Sequence, residues 1–111
     1  MSISRIYTGK DGQSHVEELD LKASPDWTSP QVAKSIVFRT TPPGQFSDWH
    51  VGPRRQFVIT LSGEVEIGLG DGTKHRFGPG HVNLIEDLTG KGHTTRVVGR
   101  QPRVSATIPL E

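Results

Sequence analysis

Reactive chemistry in this sequence has to come from five histidines and the charged and amide side chains, because the chain contains no cysteine. That excludes disulfides, thiolate nucleophiles and Cys-ligated zinc, and it suits a reducing compartment. His50 follows Trp49 directly, and Gln56 lies a short loop further on. Between them Arg54 and Arg55 stand side by side. A guanidinium on a loop is by default a solvated charge, but turned into a pocket mouth it forks onto a carboxylate or phosphate. Glu86 and Asp87 precede His93 on a polar stretch that also holds Lys91. By default this is an exposed polar loop; the carboxyl group of Glu86, its ionisation tuned by burial, would suit general acid or base work. His15, His75 and His81 read as surface or hydrogen-bonded residues, and Trp49 as rim packing or a platform for substrate.

The elements that must position these residues are short strands. With 13 Gly, 8 Pro and 32% hydrophobic residues in 111, turn formers outnumber the residues that build long helices. Strand signals run over 35–40, 56–61, 64–69, 74–77, 81–85, 94–98 and 103–110. Turn signals recur between them at Thr41-Pro42-Pro43-Gly44, Ser62-Gly63, Gly70-Asp71-Gly72 and Gly78-Pro79-Gly80. This spacing is that of a β sandwich or barrel. Residues 1–33 form an N-terminal arm before the barrel of 34–111. In the arm, 4–8 can pair with 14–21 around Asp11-Gly12, although a short helix at 13–22 is also compatible. Ser24-Pro25-Asp26-Trp27-Thr28-Ser29-Pro30 interrupts regular structure. In Phe57-Val58-Ile59-Thr60-Leu61 both faces are largely apolar, so the strand needs an outer cover, either the arm or a partner subunit.

In spacing, the chain resembles the cupin superfamily. The first cupin motif is matched by Gly44, five residues, His50, Val51, Gly52, three residues, Gln56, six residues and Gly63. Gly52 stands in the slot of the second His, and Gln56 in that of the Glu. The second motif is matched by Gly80, five residues, Glu86 in the Pro slot, then Gly90, Lys91, Gly92 and His93. It carries two extra residues before Gly90 and has Val97 in the Asn slot. The resemblance covers roughly residues 34–110. It implies an all-β, double-stranded β-helix, the cupin jelly-roll barrel, with glycines of positive φ at its corners.

The resemblance also implies a pocket inside the barrel. In metal-binding cupins these motif positions hold a divalent metal, which here leaves His50, Gln56 and His93 as ligands for Fe, Mn, Ni or Zn. Such a site lacks an anionic ligand, which Glu86 would be placed to supply, and keeps positions open for Lewis-acid chemistry. The expected function is then oxygenation, isomerisation or lysis of a small polar molecule. Glu86 and His93 would move protons, and Arg54, Arg55 and Trp49 would bind substrate. The alternative is a metal-free cupin that takes a carboxylate- or sugar-like ligand, as an isomerase or a non-catalytic binding protein. A net charge of +1 spread along the chain argues against nucleic acid. No apolar run reaches membrane-spanning length and no signal peptide is visible, so a cytoplasmic homodimer is expected.

Overall fold

The computed structural model describes residues 3–23 and 25–110. Its chain opens with a hairpin of β1 (Ile3–Thr8) and β2 (Ser14–Leu19), paired from Ile3↔Leu19 to Thr8↔Ser14. The backbone around 13–22 is therefore largely strand and not helix, its polar groups satisfied across the hairpin. A 3-10 turn follows at Pro25–Thr28; Ser24 lies outside the described residues. Then come β3 (Val37–Thr41), β4 (Phe46–His50), β5 (Gln56–Ser62), β6 (Glu64–Gly68), β7 (Lys74–Phe77), β8 (Val82–Glu86), β9 (His93–Val98) and β10 (Arg103–Pro109).

The strands form two sheets, one in the order β2-β1-β8-β5-β10-β3 and one in the order β4-β9-β6-β7. β1 runs parallel to β8, with Ile3 beside Val82, so the arm extends the larger sheet of its own barrel. The pattern within strands decides what lies between the sheets. In β6, Val65 and Ile67 are buried and alternate with Glu64 and Glu66; the Glu66 carboxylate meets Arg76 and Lys74 of β7. Val65, Ile67, Leu69 and Phe77 from one sheet pack on Ile6 and Ile85 from the other. The motif glycines Gly44, Gly63, Gly80 and Gly90 all have positive φ, between 75 and 87°.

β5 is covered on its inner face and in part on its outer one, where Leu61 is exposed. Val58 packs inward on the core cluster, and Phe57 meets Trp27 of the 3-10 turn edge-on, with ring centroids 5.9 Å apart. The N-terminal arm thus supplies part of the outer cover. β3 is different: it is the edge of its sheet, and Phe38 on it is 66% exposed, with Ile36 and Val32 exposed just before it. No helix among the described residues is long and apolar enough to cross a membrane.

Candidate functional site

Strand ends bring the site together. His50 closes β4 and pairs across the ladder with His93, which opens β9. The register of that pair shifts between Ser47 and His50, an irregularity of the kind that re-aims a side chain at the rim of a barrel. Gln56 opens β5 opposite Ile85 of β8, and Arg103 opens β10. These residues line one cavity of about 140 Å³, together with Gly52, Pro53, Val58, Ile67, Asn83 and Thr95.

The two imidazoles lie edge to face with ring centroids 4.6 Å apart. Each has one nitrogen already committed. His50 Nδ1 donates to the carbonyl oxygen of Asp48 at 2.7 Å, and His93 Nδ1 donates to Asp87 Oδ2 at 2.5 Å. A carbonyl and a carboxylate can only accept, so Nδ1 of each ring carries a proton, and in a singly protonated ring Nε2 is the atom left with a lone pair for the cavity. Asp87 is fully buried, and its Oδ2 also accepts from Ser14 Oγ of β2 at 2.7 Å. Its Oδ1 has no hydrogen-bond partner among the described residues. The arm therefore completes the environment of a histidine on the opposite sheet.

The two loops behind the site are tied together, since Gly52 N donates to the Asp87 carbonyl at 2.9 Å. Gly52 occupies the slot in which metal-binding cupins carry another His. A Cβ there would lie 2.4 Å from Cγ2 of Ile85 and 3.3 Å from Cδ2 of Leu88. The side chain of Ile85 fills the space a third imidazole would need.

Of the residues expected from sequence, His50, Gln56 and His93 share the cavity; Glu86, Arg54, Arg55 and Trp49 do not line it. Glu86 sits on the outer face of β8, bonded to Arg5 Nε at 2.6 Å and Arg55 Nε at 2.7 Å. Burial alone would raise its pKa, but hydrogen bonds from Arg55 and Arg5 outweigh it and hold the carboxyl below its usual value. An ionised, twice-paired carboxylate outside the cavity is not placed to ligate or to move protons there. Arg55 is spent on that pair, Arg54 is exposed, and Trp49 faces outward under the Lys91 ammonium, 4.4 Å from its ring centroid.

Sequence reasoning missed Asp87 and Arg103. Strand parity carries Asp87: Asn83 and Ile85 face inward, so Asp87 continues their side and Glu86 the other. Arg103 reaches inward to give two hydrogen bonds to Thr60 Oγ1, from Nε at 3.3 Å and Nη2 at 3.0 Å. Burial pulls its pKa down to about 10. Asn83 Oδ1 bonds His81 Nε2 at 3.2 Å, which leaves its amide nitrogen for the cavity.

Among the described residues no group of three or more His, Cys, Asp or Glu side chains converges on one point. The groups facing the cavity are two imidazoles and an amide, with a carboxylate one bond behind.

A scan of protein-family models and a search of curated proteins found no match. Solved structures do match, and they share the double-stranded β-helix of the cupins. A conserved double-stranded β-helix protein from Klebsiella pneumoniae is 24% identical over 68% of this chain, with a TM-score of 0.53; the match spans 64% of that chain. A cupin domain from Bordetella pertussis matches at 13% identity over 75% of this chain and 98% of its own, with a TM-score of 0.53. A polyketide cyclase from Streptomyces resistomycificus matches at 18% identity over 97% of this chain and 75% of its own, with a TM-score of 0.57. The chain folds as a cupin jelly roll.

Proposed function

We propose that this cupin barrel holds a divalent first-row transition metal on His50, His93 and Gln56 and acts on a small polar molecule in the same cavity. The observation that carries the reading is the commitment of both Nδ1 atoms. A carbonyl behind one ring and a carboxylate behind the other fix the tautomer that presents Nε2, which is how ligating histidines are oriented in metal sites. The residues therefore fit a weak site with open positions. Gln56 contributes an oxygen without charge, and Asp87 supplies the negative charge through His93. A metal bound there would supply Lewis-acid polarisation of a substrate oxygen, which serves isomerisation or lysis, whereas oxygenation would need a redox-active metal and O₂ as the oxidant.

The chain's own side chains do the rest. Asp87 holds the His93 ring and its proton on Nδ1. Asn83 and Thr95 offer hydrogen bonds to a ligand. Val58, Ile67 and Ile85 form an apolar wall that keeps bulk water off one side. The test is metal per chain, measured by elemental analysis on untagged protein purified without chelator. Near-stoichiometric metal is expected, falling at least tenfold in His50→Ala. Protein that stays metal-free after addition of Fe²⁺, Mn²⁺, Ni²⁺ and Zn²⁺ would sink the site.

A second copy of the chain is the proposed partner, supported by the bare edge at β3. Val32, Ile36, Val37 and Phe38 are all exposed beside unpaired backbone, a combination that natural sheets cover or blunt. Sedimentation velocity should give the mass of a dimer, and Phe38→Glu should shift it to monomer. A wild-type monomer at tens of micromolar removes the second copy.

A further inference from the structure

We propose that Arg103 anchors the carboxylate of a small organic acid, whose remaining atoms lie between the apolar wall of the cavity and the His50–His93 pair. The inference deepens the reading above, because it takes the same cavity as the functional site, but it does not need the metal.

Arg39, Arg54, Arg96 and Arg100 are exposed to water, whereas Arg103 is not. Arg5, Arg55 and Arg76 each meet a carboxylate. Arg103 lines the cavity and makes no ion pair among the described residues; its partner is the neutral hydroxyl of Thr60, itself 1% exposed. Arg103 is half-buried in the cavity wall; a partly desolvated cation without a counter-charge is unfavourable, and the natural compensation is a ligand that carries the charge. Burial already weakens its hold on its proton, the electrostatic sign of that missing partner.

The geometry selects the anion. Thr60 Oγ1 takes the Nε and Nη2 side of the fork, which leaves the edge between Nη1 and Nη2 free. Two parallel N–H groups on that edge match the two oxygens of a carboxylate. A phosphate dianion would ask for more donors than one guanidinium edge offers. At about 140 Å³ the cavity is far smaller than the roughly 300–1,000 Å³ of sites for drug-sized ligands, so the acid is one of a few carbons. Its body would meet Val58, Ile67 and Ile85, and a hydroxyl or carbonyl on it would find the Nε2 atoms and Asn83.

The test uses the whole chain, titrated calorimetrically with lactate and propionate, with lactamide and propionamide, and with inorganic phosphate. Each titration is run on chelated protein and again with metal restored. The acids are expected to bind at least tenfold tighter than their amides. Arg103→Met should abolish that preference while leaving metal content unchanged. Arg103→Lys should restore only part of it, because an ammonium is a point charge without the fork. Amides binding as well as acids to the wild-type chain would overturn the proposal, and that comparison does not depend on any variant folding. So would an unchanged preference in Arg103→Met, or phosphate binding tighter than every acid. Acid preference in a chain that never takes up metal supports Arg103 and removes only the metal reading. Metal uptake without acid preference does the reverse.

Discussion

Replacing Asp87 by Asn is expected to weaken metal retention by roughly 10–100-fold, the usual consequence of losing the carboxylate behind a ligating histidine. The reason lies in what the amide can offer. Asp87 Oδ2 accepts from both Ser14 and His93, while Oδ1 is buried without a partner. With the amide oxygen kept at the Oδ2 position, the NH₂ takes the orphaned place and becomes a buried donor with nothing to donate to. Turned over, the NH₂ faces His93 Nδ1, which must then accept; the ring proton moves to Nε2 and the lone pair facing the cavity is lost. Either arrangement also costs stability, on the order of 1–3 kcal/mol for an unsatisfied buried group. Asp87→Ala should be worse, because Ser14 and His93 are both left unpaired, at about 1–3 kcal/mol for each unsatisfied group. Nitrogen NMR of the His93 ring reads which atom carries the proton, beside melting temperature and metal content. A variant with wild-type values for all three would remove Asp87 from the site.

Gly92→Ala should have a comparable effect through the backbone. Gly92 precedes His93 at a φ of 77°, and a Cβ there would lie 2.0 Å from the carbonyl oxygen and 2.4 Å from the carbonyl carbon of His50. Both neighbours are main chain and cannot swing aside as a side-chain tip would. The left-handed conformation alone costs an alanine about 1–2 kcal/mol, and forcing the two strands apart adds about 1–3 kcal/mol more. The displaced carbonyl belongs to the residue whose ring forms half of the site, so His50 should move with it. Gly72→Ala is the control: its φ is 88° but nothing lies within 4 Å of the added carbon. Melting temperature should drop by roughly 10 °C or more for Gly92→Ala, given about 4–8 °C per kcal/mol in a domain near this size, and by clearly less for Gly72→Ala. Equal losses would mean that conformational strain, and not the approach to His50, explains both.

What was legible in the sequence follows from what is local. The strands from Gln56 to Phe77 declare themselves by alternation and by glycine turns, and the spacing of glycines and histidines places His50, Gln56 and His93 in one barrel. β4 escaped because Phe46-Ser47-Asp48-Trp49-His50 is poor in β-branched residues; it is strand through its ladder with β9, far along the chain. Arg103 escaped for a different reason. On β10 the apolar set Val104, Ala106 and Ile108 looks like the inward face, yet Thr107 pairs with the cavity-lining Val58, and Ser105 with Thr60. The register shift between Val104 and Ser105 breaks the alternation of β10 just where Arg103 begins it, so hydrophobic pattern alone does not tell which face Arg103 takes. Glu86 and Asp87 show the complementary point. Both are carboxylates before His93, and only the parity of β8 separates the one held by arginines from the one held by the histidine.

The parallel seam between β1 and β8 sets an order on how the molecule assembles. The β1–β2 hairpin closes over a few residues and can form as soon as it is made, whereas its neighbour in the sheet, running from Val82, is synthesised near the end of the chain. Joining residue 3 to residue 82 closes a loop of most of the protein, and pairings of such long separation form late. The Ser14 hydroxyl reaches Asp87 only when that docking is done. The surroundings of His93 are thereby complete only when the first strands of the chain have docked on β8.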